Sequence, residues 1–129
     1  AQVERIDELI QKKRKIFNFY KELTESLPVK INIEKENTKN GYWLPTIIFN
    51  EDLKVKIDDI FKYGRSKGTD FRPFFVPLSS LPFFEKNKSN AISYKLFKNG
   101  INLPSFHDMS FDDCKYVVGL LEEYINKNE

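Results

Sequence analysis

Thr69–Phe84 reads TDFRPFFVPLSSLPFF and packs one arginine, five phenylalanines and three prolines into a single short run. Such a stretch is too apolar for an ordinary surface loop. It is also too rich in proline for a central strand, because proline donates nothing to a ladder. The spacing predicts a strand from Thr69 to about Val76 that runs into a proline-broken loop. Everything on either side has to supply partners for that strand and a surface for those rings.

On the amino-terminal side, Val3, Ile6, Leu9, Ile10, Ile16, Phe17, Tyr20, Leu23 and Leu27 recur at the spacing of an amphipathic helix. Pro28 is expected to stop it. Ala1 and Gln2 offer no capping side chain, so this helix reads as the continuation of a preceding segment. A polar connector, NIEKENTKNG, leads to YWLPTIIF (Tyr42–Phe49), a β-forming run whose first half Pro45 demotes to a strand entry. Asn50 or Asp52 can cap a second helix carrying Leu53, Ile57, Ile60 and Phe61, ending between Gly64 and Gly68.

On the carboxyl-terminal side, Ser89 or Asn90 can cap a short helix with Ala91, Tyr94 and Phe97 inward and Gly100 as a left-handed stop. INLPS is a short extended piece. Ser110 and Asp113 have the spacing of a capping box and open a last helix, with Cys114, Val117, Val118, Leu121, Tyr124 and Ile125 on its inner face. The order α, β, α, β, α, short β, α predicts an α+β domain. We expect a two-layer sandwich in which a small mixed or antiparallel sheet carries its helices largely on one face.

Composition excludes several classes of function. The 129 residues suit one domain with a buried core. Their 21 basic and 19 acidic side chains nearly cancel, so there is no one-sided field for a phosphate backbone, and nucleic acid is not an expected partner. Lys12–Lys15 reads as a solvated helix face. No apolar run approaches a membrane span, no signal peptide is expected, and a single cysteine fits a reducing cytoplasm. Cys114 reads as a buried structural thiol, because the one histidine, His107, brings no triad with it. The five glycines are scattered, which excludes a glycine-rich phosphate loop, and one His with one Cys makes no metal set.

Three places resist a purely structural reading. Arg72 sits among phenylalanines, where a cation must pair, snorkel or stack; it is either a structural ion pair or a fork for a carboxylate or phosphate. Trp43 is either core or interface, or a ligand surface. Ser79 and Ser80 lie in a rigid loop between Pro77 and Pro82, where hydroxyls serve turn hydrogen bonds or orient a polar ligand.

Four segments in order, AQVERIDELIQKKRKIFNFY, NGYWLPTIIF, GTDFRPFFVPLSSLPFF and GINLPS with MSFDDCKYVVGLLEEY, resemble the carboxyl-terminal portion of the DegT/DnrJ/StrS aminotransferases. These are pyridoxal-phosphate enzymes acting on nucleotide-linked sugars. The resemblance implies that residues 1–28 are a long connecting helix and residues 29–129 the small domain of a fold-type I aminotransferase. It implies that the large cofactor-binding domain, with its Schiff-base lysine, lies outside this chain, so that these residues alone are inactive and bind no pyridoxal phosphate or pyridoxamine phosphate.

The resemblance further implies a homodimeric parent protein that takes a nucleotide sugar and an amino-acid donor, for surface polysaccharide or natural-product synthesis. Arg72, Phe74 and Phe75 match the family pattern and would wall the substrate side with Trp43 and Ser79. Ser79 stands where many members have histidine. A related subset dehydrates sugars instead, and a free-standing interaction or carbohydrate-binding module is a third reading of the same residues.

Overall fold

In the computed structural model, which describes residues 2–128, two long helices carry the core. Helix α1 (Ile6–Leu23) buries Ile16, Phe17 and Tyr20. Helix α4 (Phe111–Asn128) buries Cys114, Val117, Val118, Leu121, Tyr124 and Ile125, the face its spacing predicts, with Leu120 added. The two pack side by side against a sheet.

The four strands are β1 (Val29–Ile31), β2 (Thr46–Phe49), β3 (Arg72–Pro73) and β4 (Gly100–Asn102), in the spatial order β1-β2-β4-β3. All neighbours are antiparallel, with Ile47 opposite Ile101 and Arg72 opposite Asn102. Ile47 and Ile101 are fully buried and join the core with α1, α4 and α2 (Ile57–Ser66). Ile48 points the other way, by strand alternation, toward α3 (Ala91–Asn99). The fold is therefore the expected α+β sandwich, with three helices on one face and α3 alone on the other.

Local chemistry sets the ends of these elements. The expected capping box forms: the Asp113 carboxylate accepts from the Ser110 amide at 2.8 Å, and the Ser110 hydroxyl accepts from the Asp113 amide at 3.1 Å. The Ser110 amide, and then the Ser110 hydroxyl, which also donates to the carboxylate at 2.7 Å, hold the Asp113 carboxyl below its usual range. Helix α1 stops at Leu23 rather than Leu27: the Thr24 amide makes the last helical bond, to the Tyr20 carbonyl at 2.9 Å, after which the Glu25 and Leu27 amides turn to the carbonyls three residues back, Glu22 at 3.4 Å and Thr24 at 3.0 Å. Its first residues also differ from expectation: Val3–Arg5 is a single tighter turn, and Val3 is exposed.

Four further expectations are corrected. No strand was expected before Tyr42, yet β1 forms as a three-residue edge, too short for alternation to show in sequence. Helix α2 begins at Ile57 with Lys56 at its cap, and neither Asn50 nor Asp52 caps it, since residues 50–53 form a separate turn. The Thr69–Val76 strand shrinks to Arg72–Pro73, because Pro73 and Pro77 cannot donate to a ladder. Asn87, not Ser89 or Asn90, supplies a capping side chain ahead of α3, accepting from the Ser89 amide at 3.0 Å, and Ala91 is exposed.

Gly100 is also unlike its expected left-handed stop. Its φ of −108° and ψ of 144° are extended, and it starts β4. Glycine is needed there for closeness, since a Cβ would lie 2.7 Å from both Ile48 Cδ1 and the Leu96 carbonyl oxygen. Gly64 is the corresponding site on the other face. A Cβ there would come within 2.5 Å of the buried Phe71 ring and 2.9 Å of the Thr69 backbone oxygen.

A buried amide ties the sheet together. Asn102, 2% exposed, accepts from the Thr46 hydroxyl at 2.8 Å and donates to the Pro73 carbonyl at 2.9 Å, so one side chain joins β2, β4 and β3. It does for β3 what the missing proline donor cannot.

Two substitution experiments follow from this packing. Gly64→Ala should destabilise by about 1–3 kcal/mol through overpacking against Phe71, whereas exposed Gly119, with open space around it in α4, should gain about 0.5–1 kcal/mol as alanine. Urea unfolding of the two proteins checks the opposite signs. Asn102→Ala leaves the Thr46 hydroxyl and the Pro73 carbonyl without their partner and should cost about 1–3 kcal/mol. Faster amide exchange confined to β4 and its two neighbours would localise that loss.

Candidate functional site

Trp43 stands where three clefts meet. One, of about 570 Å³, is also lined by Lys13, Asp70, Arg72, Met109 and Tyr116. A second, of about 480 Å³, is lined by Trp43 with Asn40, Ile48, Phe74, Phe75 and Leu96 on the α3 side of the sheet. A third runs along the start of α1 past Ile6, Ile10 and His107. Trp43 is 67% exposed, so the reading as a core residue fails and the indole is a surface.

The indole does not stand alone. Phe75, 61% exposed, faces it with ring centroids 6.4 Å apart and planes 29° from parallel. Phe74 meets Phe75 edge-on at 6.1 Å. It is half-buried, its Cβ set close to Gly100, and so anchors the exposed ring beside it. The structure thus brings Trp43 together with Phe74 and Phe75, which lie 31 and 32 residues further along the sequence.

Arg72 lies on the neighbouring cleft. Its side chain is largely exposed, and its ion pair with Asp70, at 3.7 Å, is longer than a hydrogen bond. Asp70 is shared with Arg65 at 3.8 Å. The cation is therefore neither enclosed by the phenylalanines around it in sequence nor locked by its partner, and its planar fork faces solvent at a cleft edge.

Ser79 is placed apart from this group. Its hydroxyl lies 2.7 Å from the Tyr94 hydroxyl and accepts from the Asn90 side-chain NH2 at 3.0 Å, which ties the proline loop to the start and first turn of α3. Ser80 donates to the Pro77 carbonyl at 2.7 Å, the turn bond that hydroxyls in such loops commonly make.

Several residues around the site had no signal in the sequence. Lys13 donates to the Ser105 carbonyl and, at 3.1 Å, to the Ser105 hydroxyl, and its partial burial lowers its pKa. Tyr42, just before the indole, has a left-handed backbone with φ of 48° and a buried ring. In sequence the pair Gly41–Tyr42 reads only as a turn entering a strand. Arg14, within the basic cluster taken for a solvated face, instead reaches Glu34 at 2.6 Å and the Asn40 carbonyl at 2.5 Å.

Cys114 is the buried thiol expected of it, and burial pushes it up to about 11, which makes a thiolate nucleophile unavailable near neutrality. Among the described residues no group of three or more His, Cys, Asp or Glu side chains could hold a metal. No helix among them is long and apolar enough to cross a membrane.

Residues 1–122 match the DegT/DnrJ/EryC1/StrS aminotransferase family. Among known proteins, the GDP-perosamine synthase of Vibrio cholerae is 31% identical over 129 residues, covering 98% of this chain and 35% of the relative. Among solved structures, PseC of Helicobacter pylori, an aminotransferase involved in the biosynthesis of pseudoaminic acid, superposes with a TM-score of 0.84 at 12% identity, over 98% of this chain and 35% of its own. The E. coli GDP-4-keto-6-deoxy-D-mannose-3-dehydratase, solved with hydrated PLP, superposes at 0.73 with 20% identity, over 93% of this chain and 32% of its own.

At such identities the two structures speak for the fold alone. The chain spans about a third of the length of each relative. With nearly its whole length matched by one family, and its strands and helices arranged as in that family's structures, the chain belongs to the DegT/DnrJ/EryC1/StrS aminotransferases, of which it is the carboxyl-terminal part.

Proposed function

We propose that the protein carrying this chain transfers an amino group from an amino acid to a nucleotide-linked keto-sugar, and that this chain supplies the wall of the substrate site. The observation that carries the reading is the 31% identity to a GDP-perosamine synthase across 98% of the chain. It favours amino transfer over dehydration, because the dehydratase resembles the chain at the level of fold. It also makes a GDP-linked sugar the first substrate to try.

In this reading residues 1–28 are a connecting helix and residues 29–129 a small domain. The protein works as a cytoplasmic homodimer whose amino sugar feeds surface polysaccharide or a natural product. The exposed side chains of Val76, Leu78, Phe83 and Phe84 are the surface that a large domain or partner subunit would cover.

The donor set here does not fit pyridoxal phosphate or pyridoxamine phosphate by itself. The one lysine in the Arg72 cleft, Lys13, already gives its ammonium to Ser105, and Asp70 and Asp113 in the same cleft oppose a phosphate. We therefore assign the cofactor to residues outside this chain and no catalytic group to residues within it.

The work left to this chain is binding and exclusion of water. Trp43 and Phe75 offer a flat apolar face of the kind that packs against a sugar ring. Arg72 offers a bidentate donor for a phosphate or carboxylate at the cleft edge. Phe74 supports Phe75. Ser79 holds the loop to α3 through Tyr94 and Asn90 rather than meeting substrate, so the histidine common at that position has no functional replacement here.

The test is to supply the full-length protein with GDP-linked keto-sugars and glutamate, and to follow 2-oxoglutarate together with the mass of the sugar product. A sugar nucleotide in which the keto oxygen of the sugar has been replaced by an amino group, formed with equal 2-oxoglutarate, is the expected result. A product whose sugar has lost a hydroxyl and gained no amino group would replace this reading by dehydration. In the same protein Arg72→Ala should raise KM for the nucleotide sugar about tenfold with little change in kcat, a loss of about 1.4 kcal/mol of uniform binding. Unchanged kinetics with a lowered Tm would make Arg72 a purely structural residue.

A further inference from the structure

Tyr42 is a bulky residue in the left-handed region, with φ of 48°, where side chains other than glycine, asparagine and aspartate are rarely found. Such a conformation persists only when its surroundings over-determine it. Here they do so from four sides. The ring stacks on Phe17 of α1, with centroids 3.5 Å apart and planes 10° from parallel. The Arg14 guanidinium lies over the same ring, 5.3 Å from its centroid. The hydroxyl accepts from the Glu34 amide at 2.6 Å. The Tyr42 amide donates to the Asn40 side-chain oxygen at 2.8 Å.

The clamp closes on itself. Glu34 Oε2 accepts from Arg14 at 2.6 Å and from the Asn40 amide at 2.7 Å, and Arg14 also reaches the Asn40 carbonyl. Burial costs Glu34 less than these donors return, so its carboxyl sits below its usual range, with the Arg14 hydrogen bond as the largest cause. The loop between β1 and β2, polar and without secondary structure, is thereby fastened to α1.

All of this fastening ends one residue short of Trp43. Among the described residues that indole has no hydrogen-bond partner; what holds it is the backbone of Tyr42 before it and the Phe75 ring opposite. We propose that Tyr42 is the positioning residue of the substrate wall: its clamped, left-handed backbone sets Trp43 against Phe75 before any sugar nucleotide arrives. The inference rests on the reading of Trp43 as a substrate-facing surface and adds how that surface is made rigid. An aromatic wall held in place in advance spares the ligand the cost of ordering it.

The experiment uses the full-length protein labelled with 5-fluorotryptophan, with the Trp43 fluorine resonance assigned by its loss in Trp43→Phe. The variants are Tyr42→Gly, which accepts the backbone conformation but removes the clamp, and Tyr42→Phe, which keeps the ring on Phe17. In Tyr42→Gly the Trp43 resonance should broaden or split, and KM for the GDP-linked sugar should rise about tenfold while kcat holds. Tyr42→Phe should restore a single resonance and a near-normal KM.

Where Tyr42→Gly fails to fold, Arg14→Gln opens the clamp from the opposite side and is read the same way. A single unshifted Trp43 resonance in whichever of these two proteins is folded would overturn the proposal. The reading of the site fails separately: an unaltered KM in Trp43→Ala would remove Trp43 from the substrate wall, whatever the resonance shows.

Discussion

A phenol taken wholly out of water must find an acceptor for its hydroxyl, and the placement of Tyr20 is the constraint on which the arrangement rests. Tyr20 is fully buried in the last turn of α1, and its hydroxyl donates to the Pro104 carbonyl at 2.8 Å. Pro104 lies just beyond β4, in the segment that forms the floor of the Arg72 cleft with Leu103 and Met109. One bond thus fixes the long helix relative to the sheet and to the loop that leads into α4. The sulfur atoms of Met109 and Cys114 pack around the same ring, so the site floor and the core are one structure.

Fastening α1 in this way lets its other residues reach further out. Phe17, on the buried face, carries the Tyr42 ring; Arg14, one turn earlier, holds the polar loop through Glu34; Lys13 holds Ser105 at the far side of the cleft. A helix that reads in sequence as one apolar stripe and one charged stripe uses both. Its apolar stripe makes the core, and part of its charged stripe, instead of being solvated, positions the two loops that bear the candidate site.

This division explains what the sequence could convey. Helix α4 was legible in detail because its signals are local: a capping box at its start and a regular inner face. The α+β class was legible because apolar period and turn residues change along the chain. What was hidden depends on contacts distant in sequence. The three-residue β1 exists because β2 offers it an edge, and no pattern within Val29–Ile31 announces it. The strand expected over Thr69–Val76 is cut to two residues by prolines whose effect is felt only when β4 arrives with Asn102. Gly100 looked like a left-handed stop and is instead a place where Ile48 and Leu96 leave no room for a Cβ. The candidate residues were legible as chemistry, rings beside a cation, but not as geometry. Nothing in sequence shows that Trp43 meets Phe75, that Arg72 is free of the phenylalanines around it, or that Ser79 faces α3.

The run from Thr69 to Phe84, whose composition first posed the problem, divides at the sheet edge into parts with different physics. Phe71 is 1% exposed and locked against Gly64, so the first part is core. Phe74 and Phe75 pass from half-buried to exposed where the chain leaves β3 and meets Trp43. Beyond them, Phe83 is 92% exposed, a condition that stability within this domain cannot explain, because burying such a ring would be favourable by roughly 1.5–3 kcal/mol. Yet the loop that carries it is not loose: Pro77 and Pro82 stiffen it, and Ser79 binds it to Tyr94 and Asn90. A chain that spends prolines and a buried-side hydroxyl network on holding apolar rings in solvent is presenting them. The same logic joins this loop to the Trp43–Phe75 wall, since both are apolar surfaces held rigid by polar contacts made behind them.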